Sequence, residues 1–210
     1  MYVPAIFSES DLGSISNFID QHPLATLIGI ADNRPAVDHI PFLRDQPLAI
    51  GSRLIAHVAK GNSTWRLTES CDQWVLVFTG ATAYVSPSFY PSKKVTHEVV
   101  PTYNYVSIHL RGIVRHSHDR AEKLRCVEAL TRTMESSRPE PWAVSDAPSP
   151  YIDKMLEGIV ALSFEVTDIL AKRKASQNRP LPDQRGVFEG LRSEPSTAEA
   201  ARIIGGRLTD

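Results

Sequence analysis

Two cysteines in 210 residues, Cys71 and Cys126, are too few to staple a chain of this length, and neither sits in a Cys-x-x-Cys or Cys/His zinc spacing. A disulfide framework and a structural zinc site are not expected, and a reducing cytoplasm is the expected compartment. No stretch approaches the ~18 apolar residues a membrane span needs. The opening MYVPAIFSESD has neither a basic n-region nor a continuous apolar run, so no secretory signal is expected. Charge of one sign is not in excess either: 23 Lys and Arg face 24 Asp and Glu, a formal charge of -1 that gives no global basic field for nucleic acid. HExxH, GxSxG, a Walker loop and a paired-carboxylate signature are all missing. What is present is a chain 42% hydrophobic, enough to bury a sizeable core as one large domain or two small ones.

The apolar pattern reads as strands in the middle of the chain with helices around them. Ser8 followed by Asp11 makes a capping-box start, after which Leu12, Ile15, Phe18 and Ile19 recur at helical spacing. LATLIGI (24–30) and AVDHIPFL (36–43) flank the turn-forming ADNRP and predict a hairpin. RLIAHVA (53–59) predicts a third strand, with a short helix from Asn62 through Trp65 and Leu67. QWVLVFTG (73–80) is apolar on both sides, as a central strand would be, and ATAYVS is expected to pair with it. Three prolines in 86–101 predict a long surface excursion. NYVSIHLRGIVRH (104–116) alternates throughout, with Tyr105, Ser107, His109 and Arg111 on one face and Val106, Ile108 and Leu110 on the other. Ser117 opens a helix with Leu124, Val127, Leu130 and Met134 as its stripe; GIVALSFEVTDIL (158–170) is the last strand; Ser196 and Glu199 cap a C-terminal helix.

These elements predict a mainly β, α+β fold: an antiparallel barrel with helices packed outside, in one domain over 1–210 with helical excursions at about 118–157 and a helical tail at about 183–210. A doubly wound α/β sheet would need helices between successive strands and a Gly-rich phosphate turn, and neither appears.

Three polar clusters interrupt the strand pattern. In HVAKGNSTW, His57, Lys60 and Asn62 occupy a strand end and the next helix start, where a cation and backbone N–H groups hold a phosphate; the plainer reading is Asn62 as a helix cap. VPTYNYVSIH places two aromatic rings around the Asn104 amide, which suits a planar heterocycle and also suits packing. KRKASQNRP offers Ser176, Gln177 and Asn178 as donors and acceptors, with Lys174 or Arg179 to neutralise a phosphate, although a charge run is more often solvated. A cofactor that carries the chemistry itself would explain the lack of a protein nucleophile.

MYVPAIF, HVAKGNSTW, GATAYVSPSFY, VPTYNY followed by IHLRG, and KRKASQNR occur in the order and spacing of the PaiB-type family, the FMN-binding negative transcriptional regulators, which this chain resembles from Met1 to about the C-terminal helix. The resemblance implies a split β-barrel related to pyridoxamine-phosphate-oxidase-like flavoproteins, and a homodimer with FMN at the subunit interface. It implies cofactor contacts at His57, Lys60, Asn62, Trp65, Tyr84, Tyr103, Asn104, Lys174, Ser176, Gln177, Asn178 and Arg179. No metal is implied. Lys60 stands where the family commonly has Arg, Ser63 where it has Pro, and Phe89 and Tyr103 where it has Trp. Lys keeps the charge but loses the bidentate fork, so a somewhat altered FMN affinity is expected.

The resemblance also implies a repressor and hence DNA as a partner, yet no helix-turn-helix with a basic recognition helix is present. Arg120, Lys123, Arg125 and Arg132 alternate with Glu122, Glu128 and Glu135, which reads as a solvated face. The alternative is a flavin-dependent oxidoreductase acting on a small molecule, with Tyr84, Tyr103 and His109 on its substrate side and His109 titrating near neutrality. A third reading, a haem-handling split barrel, would take His57, His97 or His109 as axial ligand.

Overall fold

The structure, a computed structural model, describes residues 1–31 and 33–205. In chain order the elements begin with β1 (Ser8–Glu9), α1 (Leu12–Gln21), β2 (Leu24–Ala31), β3 (Arg34–Pro41), β4 (Leu43–Arg44), β5 (Arg53–Ala59) and α2 (Thr64–Leu67). They continue with β6 (Trp74–Thr79), β7 (Ala83–Val85), β8 (Thr102–Ser117), α3 (Arg120–Glu135) and α4 (Ser149–Glu157). The chain closes with β9 (Ile159–Lys174), α5 (Leu181–Ser193) and α6 (Ala198–Gly205). It divides into two compact units: unit 1 is Met1–Ile15, Thr79–Ile108 and Leu170–Asp210, and unit 2 is Ser16–Phe78 and His109–Ile169.

Unit 2 is built on an antiparallel sheet whose strand order runs β3-β2-β6-β8-β9-β5-β4. The β2–β3 hairpin keeps its register from Leu24↔Pro41 to Ala31↔Arg34, and Asn33 takes the left-handed conformation (φ 58) that Asn tolerates in a tight turn. Strict alternation sends Ala25, Leu27 and Ala31 inward against Trp74, Leu76 and Phe78 of β6, all buried. Gly29 pairs with Trp74, whose ring would lie 2.5 Å from any Cβ there, so the close approach of ring to strand requires glycine. Across the sheet Phe42 meets Phe164 edge to face at 6.2 Å. Helix α3 covers Leu43, Ile55 and Ala161 with Cys126, Ala129 and Leu130.

Unit 1 gathers the early residues of β8 and the end of β9. Strand β7 pairs with β8 (Ala83↔Asn104, Tyr84↔Tyr103), and β1 pairs with β9 (Ser8↔Lys172). Its core is Ala83, Val85, Tyr90, Ala175, Val187, Leu191, Ala200 and Ala201. The 86–101 segment is anchored rather than free: Ser92 donates from its backbone N–H (3.0 Å) and hydroxyl (2.7 Å) to the buried Asp183 carboxylate in the first turn of α5. A Cβ on Gly186 would lie 2.1 Å from the Phe89 carbonyl, so α5 seats on this segment through a face that admits no side chain.

Several sequence expectations are corrected. Ser8 belongs to β1, and the cap of α1 is Asp11, whose Oδ2 accepts from the Ser14 N–H at 2.7 Å. Strand β7 pairs with β8, not with the 73–80 strand, whose two edges are already taken by β2 and β8. Strand β9 continues through Lys174, so half of the KRKASQNRP cluster is strand. Helix α3 opens at Asp119, which accepts from the Glu122 N–H, and buries Cys126 and Lys123 while Met134 is exposed. The tail holds two helices, and a Pro195–Thr197 turn precedes the second. Among the described residues no Ser196 cap forms, the Thr197 hydroxyl bonding back to Leu191 instead. The part of the expected tail at 206–210, and Asp32 of the ADNRP turn, lie outside the described residues.

Candidate functional site

In unit 1 the sequence candidates fall on the two sides of β8. Tyr103 and Tyr84, directly opposite each other, are 57% and 49% exposed, and their rings meet edge to face at 5.7 Å. Asn104 points the other way, on the same parity as Val106 and Ile108, and is buried. The expectation of two rings around the Asn104 amide is therefore not met: period-two alternation sends Tyr103 and Tyr105 to one face and Asn104 to the other. That parity was visible in the sequence, where Asn104 lies in step with Val106, Ile108 and Leu110.

The buried amide has a partner 72 residues away. Asn104 Nδ2 donates to Ser176 Oγ at 2.9 Å, and the Ser176 hydroxyl lies 3.3 Å from Asn104 Oδ1. Ser176 holds φ 61, a left-handed conformation unusual for serine, at the point where β9 ends and the chain turns toward α5. Gln177 reinforces the turn with both ends of its amide, accepting from the Ala175 N–H (2.7 Å) and donating to the Arg173 carbonyl (2.5 Å). Ser176, Asn104 and Gln177 thus shape the turn. Its outward groups are the exposed Asn178, the half-buried Arg179, whose guanidinium lies 4.9 Å over the Tyr90 ring, and Lys174, whose ammonium donates to Thr102 Oγ1. The Tyr90 hydroxyl is buried without a partner among the described residues, and burial raises its pKa against the opposing pull of Arg179.

Sequence reasoning missed Lys172 and Tyr105. The Lys172 ammonium, largely buried, lies 5.3 Å from the Tyr105 ring and 5.9 Å from the Tyr2 ring, and donates to the Tyr2 carbonyl at 3.2 Å. Arg173 is held by Glu9 at 3.1 Å. Of the three cations in KRK, each therefore has a different duty, which strand placement decides and a count of charges does not.

In unit 2 the HVAKGNSTW candidates gather around α2. Asn62 is a cap, accepting from the Thr64 N–H at 2.8 Å, and its Nδ2 donates to Asp38 Oδ2 at 2.6 Å. Thr64 Oγ1 donates to the same carboxylate oxygen at 2.7 Å. The helix start is thus occupied by the chain's own anion. Lys60 is exposed; its carbonyl accepts from Trp65 Nε1 at 3.1 Å, which folds the indole back against His116 (5.2 Å) and His118 (4.9 Å). His57 and His109 are both half-buried strand residues, and burial lowers the pKa of each below 6.5. Among the described residues no group of three His, Cys, Asp or Glu is placed to hold a metal ion.

Residues 1–168 match the protein family described as "Putative FMN-binding domain". The chain is also 31% identical over 219 aligned positions to the protease synthase and sporulation protein PAI 2 of Bacillus subtilis, covering 99% of this chain and 98% of the relative. The chain belongs to the FMN-binding family of PaiB type. A protein of Saccharomyces cerevisiae is 29% identical over 67% of this chain and 94% of its own length. Among solved structures, the flavocytochrome Anf3 of Azotobacter vinelandii superposes with TM-score 0.58 at 16% identity, over 80% of this chain and 69% of that one. The FAD and heme binding protein of Mycobacterium smegmatis superposes equally, at 0.58 and 20% identity, over 80% and 73%. These likenesses carry the fold: the mainly antiparallel sheet of the PaiB-type chain is that of the split-barrel flavoproteins, as the family resemblance implies. The donor set fits the FMN its family binds, for it supplies exposed aromatic faces, turn amides and cations, the groups that a planar ring, a ribityl chain and a phosphate require.

Proposed function

We propose that the chain is a cytoplasmic, homodimeric FMN protein with a regulatory role. The flavin assignment is carried by the match of residues 1–168 to the FMN-binding family, and unit 1 offers a fitting donor set: the exposed Tyr84–Tyr103 rings on one side of β8 and, on the Asn104 side, a turn at 176–179 that the buried Asn104–Ser176 bond holds in a left-handed conformation. Tyr84 and Tyr103 supply ring faces, and Lys174, Asn178 and Arg179 supply the cations and an amide. Asn104, Ser176 and Gln177 act as positioning residues. In unit 2, His57 and Lys60 are the proposed contacts, while Asn62 and Trp65 fix α2. Bound FMN supplies the redox chemistry.

Dimerisation is supported by one sheet face in unit 2. The outward residues of β2 and β3 include Leu24, Ile30 and Val37, 61%, 65% and 57% exposed, flanked by Pro35, Ile28 and the half-buried Val75 and Val77. Among the described residues this mainly apolar face, interrupted by the Thr26–His39 hydrogen bond, keeps Leu24, Ile30 and Val37 exposed, which fits an interface between copies. The regulatory role is supported by the name of the Bacillus relative, a sporulation protein. Direct DNA reading by α3 has no support: Arg120 pairs with Asp153, Arg125 pairs with Asp45, and Lys123 is buried. No helix among the described residues is long and apolar enough to cross a membrane.

The test is the visible spectrum of purified protein before and after FMN, with quenching of flavin fluorescence followed to saturation. Saturable binding at one FMN per chain is expected; absence of quenching would refute the flavin assignment. A DNA mobility shift across salt concentrations then separates regulation from reductase turnover of a nicotinamide.

A further inference from the structure

Beneath the first turns of α3, unit 2 holds a cavity of about 340 Å³ that none of the proposed flavin residues lines. Its floor is apolar, formed by Ile55, Ala161, Leu162 and the buried thiol of Cys126. Its rim carries three guanidinium groups, Arg53, Arg115 and Arg125, against one lining carboxylate, Glu122. The cations are not placed at random. Asp45 Oδ2 accepts from Arg53 Nε (3.1 Å) and Nη2 (2.7 Å) and also from Arg125 Nη2, so one carboxylate orients two of them.

Two rim guanidiniums therefore stay fixed with donors in reserve, since each carries five N–H groups and Arg53 gives two of them to Asp45. Arg115 has no carboxylate within salt-bridge reach among the described residues. The lining of this cavity itself sets three guanidiniums against one carboxylate, Glu122, with Asp45 and Glu165 balancing the cations from behind and from the adjoining recess. A second concavity of about 340 Å³, bounded by Gln46, Gly51 and Glu165, shares Arg53, Arg115 and Ser163, so the guanidiniums stand between two recesses. Forked donors above an apolar floor match one chemistry: an oxyanion carried on a small apolar body.

We propose that this cavity binds a small organic oxyanion, an aryl or alkyl phosphate monoester or carboxylate, at a site separate from the flavin. The inference does not rest on the flavin assignment. His116 lines the cavity and also packs on Trp65, so occupancy has an optical readout in indole fluorescence.

The probe is phenyl phosphate, titrated by calorimetry and by tryptophan fluorescence into the full-length protein with and without FMN, beside inorganic phosphate and phenol. Phenyl phosphate is expected to bind saturably and more tightly than either. Arg115→Gln, which breaks no ion pair, is expected to weaken it about tenfold, the usual scale for a charge-assisted hydrogen bond. Arg115→Lys should recover part of that loss, and FMN titration should be unchanged in both variants. Absence of saturable binding at millimolar phenyl phosphate overturns the proposal. So does equal binding to wild type and Arg115→Gln with unchanged melting temperatures. Inorganic phosphate binding as tightly as phenyl phosphate would overturn the role of the apolar floor.

Discussion

The two polar clusters that carry the family motifs are built on opposite plans. In unit 2 the motif turns inward on local partners: Asn62 and Thr64 both reach Asp38, and Asn62 caps the helix that follows it. In unit 1 the motif is held by long-range bonds, Asn104 to Ser176, Lys174 to Thr102 and Arg173 to Glu9, while Asn178 at its turn stays exposed. A donor that has a cap or a carboxylate three residues or one strand away is already satisfied. A donor held by a distant buried partner can be structural itself while its neighbours remain available.

The largest expected effect lies in how unit 1 is seated. Gly186→Ala puts a Cβ against a backbone carbonyl that cannot rotate away, and should cost about 3 kcal/mol with a fall in melting temperature. A melting temperature within a degree or two of wild type would refute the tight seating of α5. Next, Ser176→Gly keeps the left-handed backbone and removes the hydroxyl, leaving the Asn104 amide short of a buried partner at about 1–3 kcal/mol. Ser176→Ala should cost more, by the left-handed strain glycine avoids. Asn62→Ala in unit 2 removes a cap and one of the two donors to Asp38, which keeps Thr64, and should cost about 1–2 kcal/mol in urea unfolding. The reverse order would break the comparison.

Lys174→Ala should weaken FMN binding about tenfold with the fold intact, and Lys60→Ala should weaken it less because Lys60 is exposed. Fluorescence quenching decides between them. The smallest effect is acid sensitivity in unit 2. Burial lowers the His57 and His109 pKa values below 6.5, so their neutral forms stabilise the fold fully above pH 6.5 and this contribution is lost as pH falls toward the folded values. Burial pushes the Asp45 carboxyl up, but hydrogen bonds from Arg125 and Arg53 outweigh it, and its pKa ends below 3.8. Its contribution is therefore present above pH 3.8 and lost only as pH falls through the lower folded value. His57→Gln should flatten the urea midpoint between pH 5 and 7, while Asp45→Asn should leave that window unchanged.

The sequence was most legible where local pattern and partner coincide. Alternation found β8, the turn between β2 and β3 found that pair, and a continuous apolar run found β6, while Asn62 was recognisable as a cap because its partner is two residues on. The end of β9 was hidden, since Lys172 and Lys174 look like loop charges until β1 is seen pairing beside them. Helix α5 was blurred for a related reason: Gly186 and Gly190 lower helix propensity in isolation and are required only because Phe89 lies against them.

What the sequence by itself determined about this protein is its period: inward and outward positions along the long β8 strand, the Asn62 cap and the order of the family motifs, all set by interactions within a few residues. What only the tertiary structure decided is partnership. Whether Asn104 faces a ligand or Ser176, whether Arg53 and Arg125 are solvated or share Asp45, and which Lys of KRK lies over a tyrosine depend on residues tens of positions apart. Such pairs meet only when the sheet registers are fixed, and no local propensity encodes that meeting.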